Sequence, residues 1–124
     1  MLRDRGGEAP FRIRGSSPCF FGVMLVDIEI HGSRSLKDRR QVVRSVLEQS
    51  RRHLNVSVSD LGPVDCHTRV NLAVACAANE IGHVRSVLDE VEGIFDRESR
   101  VLDFEILASR RKVGSYDEFS NRED

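Results

Sequence analysis

Gly32-Ser33-Arg34-Ser35-Leu36-Lys37-Asp38-Arg39-Arg40 is the stretch on which the reading of this chain turns. An apolar strand runs into it and a basic amphipathic helix runs out of it, so free backbone N–H groups and a cationic helical face begin at one point. Ser35 has the side chain of an N-cap, and Asp38 three residues later is a near-variant of the capping box. The helix is predicted to run to about His53. Leu36, Val43, Leu47 and Leu54 fall in one arc with Val46 flanking it, which predicts a stripe facing the core. Lys37, Arg40, Arg44 and Arg51 project together on the adjoining face. Arg34, Lys37, Arg39, Arg40, Arg44, Arg51 and Arg52 stand against Asp38 and Glu48 over residues 34–53, a local net charge of +5.

Before this stretch, Met24, Val26, Ile28 and Ile30 share one face of a strand whose other face changes from Val23 and Leu25 to Asp27 and Glu29. A continuous apolar start and an alternating end suit a central strand covered on one side. After the helix, residues 55–61 alternate around Val56 and Val58, and Gly62-Pro63-Val64-Asp65 turns the chain. Residues 68–78 form a third strand with Val70, Leu72, Val74 and Cys76 inward. Asn79 is the expected cap of a second helix whose stripe is Ile81, Val84, Leu88, Val91 and Phe95. Over residues 80–97 five acids stand against two bases, a net of -3, so the two helices carry opposite charge. Leu102, Phe104 and Ile106 alternate with Asp103 and Glu105 in a fourth strand ending at Leu107. The order β-α-β-β-α-β, with one apolar face per strand, predicts an α+β ferredoxin-like fold. Its four-stranded antiparallel sheet would carry both helices on one side. Residues 1–18 read as a flexible extension, 19–108 as the single domain and 109–124 as a flexible tail.

Composition narrows the function classes. One domain with one core is expected from 124 residues of which 40% are hydrophobic, and a net charge of -1 makes any electrostatic argument local. The longest apolar run, residues 20–26, is far short of a bilayer span, so a cytoplasmic protein without membrane contact is expected. Cys19, Cys66 and Cys76 are odd in number and lack C-x-x-C spacing, which points away from a disulfide framework and a structural zinc site. No cofactor and no metal are called for.

The segment from Leu25 through Leu-Lys-Asp-Arg-Arg40, continued by Gln41-Val-Val-Arg-Ser-Val-Leu47 and Asn55-Val-Ser-Val58, resembles the small bacterial family DUF503, also called YlxP-like. The likeness covers roughly residues 19–107. It implies a ferredoxin-like fold and no established activity. Genes of this family commonly lie between those for translation initiation factor 2 and ribosome-binding factor A, which implies a role near the ribosome or RNA. The chain has His31 where members often have Pro and His67 where they often have Trp. Because the likeness begins near Cys19, residues 1–18 are either a disordered arm or an over-extended start of translation.

Three readings of function compete. In the first, Arg34, Lys37, Arg40, Arg44 and Arg51 contact phosphates of ribosomal RNA or the ribosome, in a protein that is not an enzyme. Its open sheet face is expected to show Val23, Leu25, Asp27, Glu29, Ser57, Ser59, Arg69, Asn71, Ala73, Ala75, Asp103 and Glu105. With no aromatic residue there except Phe21 at its rim, reading of bases on the sheet as in RNA-binding modules of this topology is disfavoured. In the second, Arg34 with Asn71 or Asn79 forms a phosphate-ester or acyl-phosphate hydrolase site, a loose echo of ferredoxin-like acylphosphatases. In the third, Val23, Leu25, Ala73 and Ala75 meet a second copy, giving a homodimer through the open face. The carboxylates Asp27, Glu29, Asp103 and Glu105 are expected to be a solvated cluster partly neutralised by Arg69. Cys66-His67 is no nucleophile pair, because neighbours on a strand face opposite ways.

Overall fold

In the computed structural model, which describes residues 14–119, strand β1 (Phe20–Ile30) leads through the turn at Gly32 into helix α1 (Leu36–His53). Strands β2 (Ser57–Asp60) and β3 (Arg69–Ala78) follow, then helix α2 (Ile81–Leu102), strand β4 (Phe104–Ser115) and a short helix α3 (Tyr116–Phe119). The sheet order is β2-β3-β1-β4 and every pairing is antiparallel. This is the ferredoxin-like arrangement that the sequence predicts. The expected extension over residues 1–18 lies mostly outside the described residues.

Alternation makes the two sheet faces unequal. Met24, Val26, Ile28 and Ile30 of β1 and Val70, Leu72 and Val74 of β3 are buried on one face, against Val43 and Val46 of α1 and Val84, Leu88, Val91 and Phe95 of α2. The helix side of β1 carries Gly22 where α2 comes closest. A methyl group added there would stand 2.6 Å from Val84 Cγ1 and 2.9 Å from Leu88 Cδ1.

Helix α1 is rotated from its expected phase. Its buried residues are Arg39, Val43, Val46 and Ser50, while Leu36 is 40% exposed and Leu47 only half-buried. The cause is Arg39, which is 4% exposed and anchored by three hydrogen bonds. Its two terminal nitrogens donate to the two carboxylate oxygens of Asp60 (2.7 and 3.0 Å), and its Nε donates to the backbone carbonyl of Arg69 (3.0 Å). A bidentate pair taken out of water holds its geometry tightly. The apolar pattern alone counts Arg39 as a surface cation. The guanidinium beside Asp60 in turn holds that carboxyl below its ordinary value of 3.8.

Other boundaries move too. β2 begins at Ser57 rather than 55, and the N-cap of α2 is Glu80, without a side-chain cap bond, rather than Asn79. Residues 101 and 102, expected at the start of the fourth strand, are the last turn of α2, and Asp103 ends the helix in the left-handed region at φ 59°. Asp103 therefore leaves the expected carboxylate cluster. The fourth strand does not stop at Leu107, nor is the chain a tail from 109. β4 pairs with β1 as far as Ser115 opposite Phe20. A register shift between Asp27 and Ile28 leaves Leu107 as an extra residue, which resets the alternation and hides the strand from a period-2 reading. Beyond it Arg111 turns to the helix side and bonds Asp89 (2.8 Å) and Glu92 (3.2 Å) of α2, while Val113 packs on the core.

Two outcomes follow. Asp60→Asn removes the charge partner of a buried guanidinium and is expected to destabilise the fold by about 2 kcal/mol at pH 7, below the full cost of breaking a buried pair because Asp60 is partly exposed. Since its carboxyl has a lowered pKa in the folded state, the wild-type advantage is fully present above pH 4 and disappears as the pH falls through the folded value. Urea denaturation of both proteins across this range reads the difference. Gly22→Ala overpacks the α2–β1 contact and is expected to cost about 1–3 kcal/mol by the same measurement.

Candidate nucleic-acid interface

The turn into α1 is closed by its own side chains. Ser35 Oγ accepts the N–H of Asp38 (3.1 Å), and Asp38 Oδ2 accepts the N–H of Arg34 (3.0 Å). A protein carboxylate thus occupies the position at the helix N-terminus where an anion would be drawn. The free backbone anion site expected at this turn is filled. A hollow of about 210 Å³ beside it is lined by Ile30, His31, Gly32, Ser33, Asp38, Gln41, Val42 and Leu102. With Asp38 in its wall and no lysine or arginine lining it, it does not favour phosphate.

What remains for phosphate is the side-chain array. At about 100° per residue, Lys37, Arg40, Arg44 and Arg51 lie within about 60° of arc, some 120° around from the middle of the buried stripe. The flanks of that stripe are identified by two contacts. Ser45 Oγ donates to Glu98 of α2 (3.4 Å), and Arg51 donates to the carbonyl of Val58 in β2 (3.3 Å). The basic arc therefore lies over the β2 edge, turned away from α2 and its acids. Arg34, Lys37, Arg40 and Arg44 are exposed and their side chains form no ion pair among the described residues. Arg51 is exposed but tethered to β2, so it stands at the end of the array as a held cation. The acids of α2 that do pair, Asp89 and Glu92, take Arg111.

The structure does not assemble the hydrolase constellation. Arg34 follows the end of β1, whereas Asn79 follows Ala78, which pairs with Phe20 at the start of β1. Asn71 sits opposite Asp27 on the face away from the helices. Cys66 Sγ contacts the hydroxyl of Thr68 (3.4 Å), which lowers its pKa, and burial pushes the Cys76 thiol up. Among the described residues no group of three or more His, Cys, Asp or Glu is placed to hold a metal ion, and no helix is long and apolar enough to cross a membrane.

On the open face, Arg69 donates to both oxygens of Asp27 (2.8 Å each), so the carboxylate cluster is partly neutralised as expected. Glu105 lies 3.6 Å from His31. Sequence reasoning missed two cations there. Arg110 and Lys112 pair with Leu25 and Val23 and share their face. The signal that would have found them is Val113 closing the polar run, once a bulge at Leu107 is allowed for.

Among solved structures, the chain is similar to a C-terminal segment of the alpha subunit of aIF2 from Pyrococcus abyssi, with 12% identity and a TM-score of 0.52. The match covers 80% of this chain and 53% of that one, so this chain spans about half the length of that relative. It is also similar to the de novo designed protein Foldit4, at 11% identity and a TM-score of 0.45 over 78% of this chain and 94% of that one. A designed protein with ferredoxin fold, LFR1 1, matches at 12% identity and a TM-score of 0.42, over 78% and 84%. At these identities the first likeness speaks to the fold alone. No curated protein matches the chain significantly. The family model described as protein of unknown function (DUF503) matches residues 21–111, and with most of its length inside that match the chain belongs to this family.

Proposed function

We propose that this protein is a cytoplasmic, non-enzymatic accessory factor that contacts ribosomal RNA, free or in the ribosome, through the basic arc of α1. The observation that carries the reading is that Lys37, Arg40 and Arg44 are exposed on the flank of α1 facing away from the acidic helix, with the exposed Arg34 just before its N-cap, and that none of the four forms an ion pair among the described residues. In a chain whose net charge is -1, such a concentration creates a local positive field that the whole molecule lacks. Arg40 and Arg44 stand one helical turn apart, about 6 Å along the axis, and Lys37 about one turn before them, a spacing that suits successive phosphates of one backbone. The open sheet face offers Leu25, Ala73 and Ala75 but no aromatic platform in its middle, which supports backbone recognition over base reading. The engaged N–H groups of Arg34 and Asp38 leave the contact to side chains, so affinity is electrostatic and falls with salt.

The test is co-sedimentation with purified ribosomal subunits. Wild-type binding is expected to fall with salt at a log–log slope of about -3, as four phosphate contacts require. Arg40→Glu with Arg44→Glu is expected to bind about ten- to a hundredfold more weakly with a shallower slope. The exposed pair Arg97→Glu with Arg100→Glu on α2 is expected to leave binding unchanged. Equal binding by wild type and the α1 double variant would remove the reading.

A further inference from the structure

The face of the sheet turned away from the helices carries apolar and basic side chains over one half and mainly acidic ones over the other. Val23 and Leu25 of β1 stand beside Ala73 and Ala75 of β3, with Leu25 42% exposed. A solvated sheet face would alternate to polar side chains here, and β3 instead presents a flat row of small ones. Towards the start of β1, Arg110 pairs with Leu25 and Lys112 with Val23, and neither forms an ion pair among the described residues. Towards its end stand the three carboxylates of Asp27, Glu29 and Glu105 against the single guanidinium of Arg69. One end therefore carries +2 and the other -2. Between them lies a hollow of about 230 Å³ lined by Leu25, Asp27, Asn71, Ala108 and Arg110.

The geometry points to a second copy of this chain as the occupant of that face. A two-fold axis in the contact plane, running across the strands between the rows of Leu25 and Asp27, reverses one sheet over the other. Lys112 of each copy then lies over Glu105 of the other, and Val23 with its basic neighbours lies towards Glu29. Leu25 of each copy then lies over the row of Asp27 in the other, beside the hollow and the guanidinium of Arg69 that already holds that carboxylate. An axis along the strands would stack like charge on like charge, so the charge pattern selects one of the two orientations. Aligned sheets pack about 10 Å apart with their strands within about 30° of each other, which this contact accommodates. With strands about 4.8 Å apart and about 3.4 Å per residue, the face is roughly 19 by 27 Å. Two copies thus cover on the order of 1,000 Å², the lower size of a specific interface. Pairing through the long free edge of β4 is opposed by the bulge at Leu107 and by three successive cations, Arg110, Arg111 and Lys112. A face-to-face dimer leaves both α1 arrays pointing outwards on opposite sides, and it stands or falls independently of what they bind.

Charge reversal tests this on surface residues that the core does not use. Sedimentation equilibrium on the full chain is expected to show a dimer that weakens with salt. Arg110→Glu with Lys112→Glu leaves Arg69 as the one cation on a face of five carboxylates, and Glu29→Lys with Glu105→Lys leaves Asp27 as the one carboxylate on a face of five cations. Each variant alone is expected to dimerise at least tenfold more weakly while keeping the wild-type circular dichroism. Mixed one to one, the two are expected to recover a dimer, because position 112 of each then lies over position 105 of the other with opposite sign. Wild type monomeric up to about 1 mM, where even a millimolar contact would register, overturns the proposal. So does a dimer indifferent to the reversals, or a mixture that stays monomeric.

Discussion

The buried guanidinium of Arg39 determines how helix α1 lies on the sheet. It ties the helix to the end of β2 through Asp60 and to the start of β3 through the carbonyl of Arg69, three contacts that only one rotation of the helix satisfies. Burying a charge is unfavourable unless its hydrogen bonds are met, and here they are met by two strands at once. The rotation places Val43, Val46 and Ser50 against the sheet and moves Leu36 into water. By the same act it carries Lys37, Arg40 and Arg44 to the flank over β2. The surface of the helix follows from a contact in its interior.

Charge in this fold is sorted by element rather than spread. Two of the acids of α2, Asp89 and Glu92, are met by Arg111 reaching over from the edge strand, and among the described residues no cation of α1 pairs with an acid of α2. At the N-terminus of α1, Asp38 supplies the negative charge that the helix dipole favours. On the far side of the sheet Arg69 takes Asp27, and the remaining charges separate into a basic and an acidic end. A nearly neutral molecule thus presents two distinct polar surfaces, one mainly cationic and one bipolar.

Much of the fold was legible in the residues, because each central strand keeps one continuous apolar face and α2 keeps a full 3.6-residue stripe. The capped start of α1 at Ser35 and its end at His53 were equally plain. What escaped has physical causes. Arg39 carries a charge, and nothing local distinguishes a buried, paired arginine from its solvated neighbours Arg40 and Arg44. β4 was cut short because an extra residue at Leu107 breaks its alternation, and because an edge strand beside an acidic helix is stabilised by Arg111 rather than by another apolar side chain. Of the candidate site, the five cations Arg34, Lys37, Arg40, Arg44 and Arg51 were named from helical spacing and from their place at the turn. That Arg51 is tethered and that the N-terminal anion position is already filled required the packing.

In the proposed function, Arg39 is held by its buried pair while its neighbours Arg40 and Arg44 on the same helix stay free to meet phosphate. Nuclear magnetic resonance of the ¹⁵N-labelled chain tests it most directly, through the arginine Nε–H signals as a ribosomal RNA duplex is added. The account predicts that the signals of Arg34, Arg40 and Arg44 move while that of Arg39 stays fixed. Movement confined to Arg110 and the open sheet face, or no movement in α1 at all, would contradict it.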